Sequence, residues 1–493
     1  MKRLIIFLLS TSFPLYAAEY MVKSVKEWNA LKLSPGDEVV WANGSYVDDD
    51  NINFSANGDA SNVITLRAET PGGVSFTGGM TMTISGDHVV VDGFHWRGGT
   101  GKNNHIQFRK GSVHANHSTL RNCAIDNLND QGTDKHRWVV MYGKNNTVER
   151  CSFVNKQSPG ALILVELDEN QKTDPVGHQI KHNYFFNYVA REPKSRHSGD
   201  SETIRIGESS LQAKNASVTV AHNYFQACDG ENEIITNKSS NNIYKYNTFR
   251  KCRGSLVLRH GANVWVEGNY FLGENKKDTG GVRVSDSFHT IINNYFQDLN
   301  NEGSKWNNAI TLVGGSDETG GSNNGYQKVD KILVAFNTVY RCDGPLFYNN
   351  RSSHDPTGMF AYNLLHSKST DTVSGDIKGT GQGMKYMGNV VSGSDVGVSD
   401  SGFTLSDINF ERRGETYRPK KVKSVLGLDA LYIDKIKLDI DGRVRSHKSF
   451  EVGAHQLTGA QGKAIHSALT DDDVRAAVGA SFIDATGALI KAR

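Results

Sequence analysis

Asn223-Tyr224-Phe225, Asn247-Thr248-Phe249, Asn269-Tyr270-Phe271 and Asn294-Tyr295-Phe296 repeat one signature at spacings of 24, 22 and 25 residues. Asn183-Tyr184-Phe185 precedes them. Looser copies follow at Asn337-Thr338-Val339, Asn363-Leu364-Leu365 and Asn389-Val390-Val391. Upstream, Asn122-Cys123-Ala124-Ile125 and Arg150-Cys151-Ser152-Phe153 read as degenerate members. A repeat of this length is the mark of a solenoid. Each copy follows a short β-branched or aromatic run, such as Val264-Trp265-Val266 or Thr290-Ile291-Ile292, with turn residues on both sides. No long helical periodicity lies between the copies, which argues against β/α units and leucine-rich horseshoes. The expected fold is all-β, a right-handed parallel β-helix.

With one coil per repeat, equivalent strands lie about 4.8 Å apart. The asparagines then stack as an amide ladder, and the phenylalanines stack inside as core. The ladder tyrosines read as core rather than as sugar platforms. Cys228, Cys252 and Cys342 each lie five residues after a ladder Asn. That offset places them as stacked interior thiols, not as a disulfide framework.

The 493 residues include 50 glycines and only 9 prolines, as recurrent tight corners require. A solenoid grows in one dimension, so a chain of this length can be one body. The net charge of +2 gives no general affinity for nucleic acid, so any polyanion site must be a local cluster. Met1-Lys2-Arg3, the apolar run from Leu4 to Leu9 and Ala17-Ala18 read as a signal peptide over 1–18. The expectation is a secreted or periplasmic protein with no membrane insertion. The β-helix is expected over 19–460 and a tail with a short helix over 461–493.

The ends read as caps. Ser24-Val25-Lys26-Glu27 is a capping box for a short helix through Leu31. Pro35-Gly36-Asp37 then turns into Glu38-Val39-Val40-Trp41, the expected first rung. Residues 366–405 are rich in Ser, Gly and Asp and are expected to form longer loops on late rungs. Thr470-Asp471-Asp472-Asp473 opens the terminal helix.

The chemistry sits in the middle rungs. Glu231 and Glu233 are one residue apart and point to one side of an extended chain. Lys238 follows five residues later. Lys238 is nine residues before Asn247, and Arg259 is ten before Asn269. The two therefore occupy nearly the same corner of adjacent rungs. Strict strand alternation would face them oppositely, so a local irregularity is required. Asp200, Glu202 and Arg205 lie upstream. Carboxylates on neighbouring rungs suit a hard cation such as Ca²⁺. A lysine near a cation is pushed toward its neutral form and can act as a base, whereas arginine stays charged. A cation plus a base beside a uronic acid points to β-elimination. Arg205 and Arg283 are candidates for gripping substrate carboxylates, and His260 for contacting substrate. Each has a plainer reading: solvated rung charges for the arginines, a structural role for the histidine. The basic loop 191–197 is a further candidate for binding an anionic chain.

Glu231-x-Glu233-Ile234-Ile235-Thr236-x-Lys238-Ser239, with Arg259-His260-Gly261 after it, resembles polysaccharide lyase family 6, the family of alginate lyases and chondroitinase B. Ser201 to Gly207, Pro35-Gly36-Asp37 and Val452-Gly453-Ala454 extend the resemblance over roughly residues 20 to 460. It implies a parallel β-helix with Lys238 as general base and Arg259 as acid or charge stabiliser. It also implies Ca²⁺ on Glu231, Glu233 and a third ligand. The family has an asparagine there, which is missing here, so Asp200 is the expected substitute and Glu202 the second choice. Alginate is the expected substrate, dermatan sulfate the runner-up. A β-helical glycoside hydrolase would need paired acids without the lysine. A non-catalytic β-helix would bind polymer without shortening it.

Overall fold

The computed structural model describes residues 17–47, 49–129, 135–167, 175–189, 200–321, 323–368, 371–377, 383–422, 424–425, 436–445, 450–457 and 467–477. The signal segment before residue 17 and the basic loop 191–197 lie outside them.

The coil has three walls, each a 14-stranded sheet. One turn runs, for example, from Thr219–Ala221 to Tyr224–Asp229 to Glu233–Lys238, and the next begins at Ile243–Lys245. These three strands belong to what are called here the first sheet, the ladder sheet and the site sheet. Successive turns pair in parallel, Tyr224 on Thr248 on Tyr270 on Tyr295. The chain is a parallel β-helix.

The corner between the first and ladder sheets explains the signature. Its first residue is left-handed, as at His222 (φ 56°), Tyr246 (φ 57°) and Asn293 (φ 56°). That turn points the following asparagine inward. From Asn183 to Asn389 each amide Nδ2 donates to the Oδ1 of the next asparagine at 2.9–3.0 Å. Each Oδ1 also accepts the backbone N–H of the preceding ladder residue, as in Asn223 N to Asn247 Oδ1 at 3.0 Å. All are fully buried. In the degenerate copies Cys123 and Cys151 hold the ladder place and Asn122 and Arg150 the left-handed place. Cys151 N still donates to Asn183 Oδ1 at 2.9 Å.

Beside the ladder, Phe185, Phe225, Phe249, Phe271 and Phe296 stack at centroid separations of 4.7–4.9 Å. All five cysteines are buried free thiols, and Cys228 N donates to Cys252 Sγ.

Two expectations about the N-terminal end need correction. The first rung strand is Glu19–Val22, ahead of the helix, and it pairs in parallel with Glu38–Trp41. The helix spans Val25–Asn29, shorter than expected, with Ser24 Oγ accepting from Glu27 N at 3.2 Å. Trp28 from this helix packs edge-on against Phe54 and covers the open end of the core. The Ser/Gly/Asp-rich stretch 366–405 carries the late rung strands, down to Phe403–Leu405. Beyond 405 the chain runs back along the outside of the ladder sheet. Tyr270, Tyr295 and Tyr340 pack with Ile440 and Ala454, and Tyr184 and Tyr224 pack with Val474 of helix Asp471–Ala477. Tyr184 Oη donates to Asp471 at 2.6 Å. Among the described residues no helix is long and apolar enough to cross a membrane.

Two predictions follow from the interior. Asn247→Ala strands the buried N–H of Asn223 and the carbonyl of Val220. It should cost about 2–3 kcal/mol, read as a lower urea midpoint. Second, burial holds His105 and His178 at about 3, far below the ordinary 6.5. Folding therefore keeps them neutral. Stability is fully present above pH 6.5 and is lost as pH falls from there toward 3. Thermal melts across that window should show the decline beginning above the carboxylate range.

Candidate functional site

The outer face of the site sheet carries the chemistry. Inward positions are apolar or satisfied: Ile204 and Ile206 on one rung, Ile235 and Asn237 on the next, Leu256 and Leu258 on the third. The outward row runs Arg205, Thr236, Val257, Arg283, Thr311.

Two irregularities break the pairing of Glu233–Lys238 with Gly254–His260. Glu233 pairs with Ser255 but Ile235 with Leu256, so Ile234 is an extra residue on the first strand. Asn237 pairs with Leu258 but Lys238 with His260, so Arg259 is an extra residue on the second. A bulge re-aims side chains at the end of a strand. It supplies the irregularity that sequence counting required and brings Lys238 and Arg259 into one cleft.

The cleft has a volume of about 740 Å³. Lys238, Arg259, Arg205, Arg283, Asp200, Glu231 and Glu233 all line it. His260 does not. It is fully buried, with Nδ1 2.8 Å from Gln327 Oε1 and Nε2 3.3 Å from Asn324 Oδ1. Burial and the Arg259 charge push it down to about 4, so it is neutral at ordinary pH. Its place is behind the cleft, fixing the loop that anchors Arg259, rather than against a substrate.

Arg259 donates to the carbonyls of Gly325 and Asn324, both at 2.7 Å, and lies over the Tyr326 ring at 4.1 Å. Lys238 makes no ion pair or hydrogen bond among the described residues and faces the same cleft. Arg283, expected to grip substrate, is 5% exposed and largely used up. It donates to Glu233 Oε1, to the carbonyls of Asn232 and Trp306, and to Asn307 Oδ1, all at 3.2–3.3 Å. Its contacts fix Glu233, whose other oxygen accepts from Thr236 Oγ1 at 2.6 Å.

The acids also sort themselves. Asp200 sits at φ 62° and its carboxylate is held by Arg205 and Lys135. Two cations already neutralise it, whereas Glu202 lines the cleft with Glu231 and Glu233. Burial, then repulsion from Glu231, pushes Glu202 up to about 8. Burial, then Glu233, pushes Glu231 up to about 7. Glu202 Oε2 is buried without a hydrogen-bond partner. An orphaned carboxylate oxygen among mutually repelling glutamates is a donor set short of positive charge, and its hard oxygens fit a Ca²⁺-like cation. Among the described residues, however, no three His, Cys, Asp or Glu side chains are grouped so as to hold a metal ion as they stand.

Trp306 and Tyr326 complete the wall, stacked at 6.1 Å. Sequence reading missed both, because they come from loops between rungs and outside the repeat. A lone tryptophan in the polar run Gly303-Ser304-Lys305-Trp306-Asn307-Asn308 was the one available signal.

A lysine, arginines and an acid cluster thus share one outer wall of the β-helix. Residues 22–423 match the family model described as chondroitinase B, and the chain belongs to this family, polysaccharide lyase family 6. Among solved structures it is similar to the family 6 alginate lyase AlyGC, with 30% identity and a TM-score of 0.75. That match covers 82% of this chain and 55% of AlyGC, so the chain spans about half the length of that protein. It is also similar to a mannuronic acid specific family 6 lyase from human gut microbiota, with 26% identity and a TM-score of 0.69 over 80% of this chain and 92% of that one. A family 6 alginate lyase in complex with a trisaccharide shares the fold, at 23% identity and a TM-score of 0.67 over 82% and 91% of the two chains. No curated protein matches this chain.

Arg283→Ala should leave Glu233 uncompensated and lower stability by about 3 kcal/mol. Adding Glu233→Gln should recover part of that loss. A double-mutant cycle in urea checks the coupling; additive losses would show that the pair does not interact.

Proposed function

We propose that this protein is a polysaccharide lyase that cuts alginate by β-elimination, leaving 4,5-unsaturated oligosaccharides. The observation that carries the reading is the bulge that sets Lys238, which makes no ion pair or hydrogen bond among the described residues, beside Arg259 in a cleft shared with the acid cluster. Lys238, as the neutral amine, takes the C5 proton of a uronate. The electron pair forms the C4–C5 double bond, and the C4–O glycosidic bond breaks toward the leaving sugar, whose oxygen then takes up a proton. Arg259 is held by two backbone carbonyls and stays protonated. Its remaining N–H groups suit the charge that develops on the substrate, a preorganised contribution rather than one made on demand. Arg205 lines the cleft with its charge shared with Asp200 and is the remaining candidate for a uronate carboxylate.

Calcium is part of the proposal. Glu202, Glu231 and Glu233 would hold it, and when bound it would neutralise the substrate carboxylate next to the C5 proton. Export is also proposed, on the basic and apolar start of the chain. Alginate is preferred because the similar structures at 26–30% identity are lyases of alginate or mannuronate. Dermatan sulfate is the alternative that the family description supports.

The test is ultraviolet absorbance of the conjugated uronate with alginate, its two block types, dermatan sulfate and polygalacturonate. A rise on alginate is expected, and Lys238→Ala should reduce it by about 10³-fold or more while the melting temperature holds. Chain shortening without absorbance would replace the lyase with a hydrolase. For the cation, Ca²⁺ added to chelator-treated protein should raise the melting temperature, and Glu202→Gln should shrink that rise. An unchanged melt with Ca²⁺ would remove the metal from the reading.

A further inference from the structure

The corner between the site sheet and the first sheet is built from left-handed residues stacked rung on rung. The column is His88, His117, Asn145, Gly177, Ser217, Asn241, Asn263, Phe288 and Lys331, each with φ between 48° and 64°. Hydrogen bonds confirm the alignment: Asn241 N donates to Ala262 O, Asn263 N to Ser287 O, and Phe288 N to Asp330 O. Asn and Gly suit this conformation. A bulky aromatic is costly in it; the other corner takes aromatics at Phe336 and Tyr362, where both are buried. Phe288 is nevertheless there, and it is not used as core: its side chain is 46% exposed.

Phe288 stands at the edge of a second groove, of about 560 Å³, on the outer face of the first sheet. The floor is a row of paired residues: Trp265, Thr290, Leu333, Met359 and Lys385. The row crosses five rungs and is about 19 Å long at the usual strand spacing, so it runs along the coil axis. Lys331, next in the corner column, carries its ammonium 5.5 Å from the Phe288 ring centre. Lys331 and Lys385 are exposed and make no ion pair among the described residues. Among the described residues no Asp or Glu lines the groove. Trp265 keeps its ring at the groove while its indole N–H is tied to Glu267 at 2.9 Å.

From this geometry we infer that the groove is a second polysaccharide-binding site, separate from the catalytic cleft, for a chain of acidic sugars. Aromatic faces pack against the apolar faces of pyranose rings. Two unpaired lysines in a groove without acids select an anionic chain over a neutral one. A rung spacing close to the length of one pyranose lets an extended chain meet one row residue after another. The site holds polymer on one wall of the coil while the site sheet faces another stretch of it, so it acts through effective concentration. The choice of an acidic sugar chain rests on the same substrate class as the proposed function. The site itself needs no catalysis.

The test uses Phe288→Asn, the residue found at the same corner on neighbouring rungs. It relieves the strained backbone, so its melting temperature should equal or exceed that of the parent. Retardation is measured on native gels containing alginate or neutral dextran. The parent should be retarded by alginate and not by dextran. Phe288→Asn, and separately Lys331→Ser with Lys385→Ser, should weaken retardation by about fivefold with turnover of an alginate trisaccharide unchanged. Retardation equal to the parent in both variants would overturn the inference. So would a self-association, seen by sedimentation, that Phe288→Asn abolishes, since the groove would then hold a second copy of the chain. If no polyuronate gives absorbance yet alginate retards the protein through Phe288, the lyase reading fails and this one stands.

Discussion

Everything in this molecule hangs on the buried asparagine ladder. An amide inside an apolar coil is tolerable only when all its donors and its acceptor are used. From Asn183 to Asn363 each amide serves the rung before and the rung after, and Asn389 closes the run on the carbonyls of Phe360 and Gly402. A slip of one residue would strand a whole column of polar groups. The ladder therefore fixes the register of the ladder sheet, and through the short corners it fixes the other two sheets. Phenylalanine stacking adds apolar burial but is compatible with several registers; the amides are what select one.

The site exploits a wall where this discipline is relaxed; the ladder sheet itself shifts register late, between Tyr340 and Cys342. The strands that face the cleft carry two extra residues within a single pairing, at Ile234 and Arg259. The ladder sheet on either side of them stays in register, so the bulges cost no disorder elsewhere. Rigid support continues beneath: Arg283 ties Glu233 to Asn232 and to the Trp306 loop, and the Gln327–His260–Asn324 chain ties the Arg259 anchor to the coil. The charges in the cleft are thus held by groups that are themselves fixed. Glu202 and Glu231 are kept close despite their repulsion.

The sequence made the ladder, the sheet class and the charged cluster legible because each is a matter of spacing. What it hid is local. Spacing places Asp200 and Glu202 two apart and thus on one side, yet the left-handed backbone at Asp200 turns that acid toward Arg205 instead. Arg283 reads as a free cation, but saturation of its donors depends on the Trp306 loop, which no repeat predicts. His260 follows Arg259 directly, so alternation faces them oppositely, and which of the two faces out depends on the register of the strand. The first strand, Glu19–Val22, was overlooked because it precedes the helix and lacks the signature.

The return of the chain over the ladder sheet has a consequence for how the protein comes into being. Coils can stack one upon another as they leave the ribosome, since each needs only its predecessor. The outward tyrosines of the middle rungs are different. Tyr184 and Tyr224 meet Val474, and Thr248 Oγ1 accepts from Leu469 N, a residue made 221 residues later in synthesis. Until those last residues emerge, an aromatic stripe on the nascent coil stays wet. The body is built progressively, but it is sealed only at the end, and a truncated chain would carry that sticky stripe into solution.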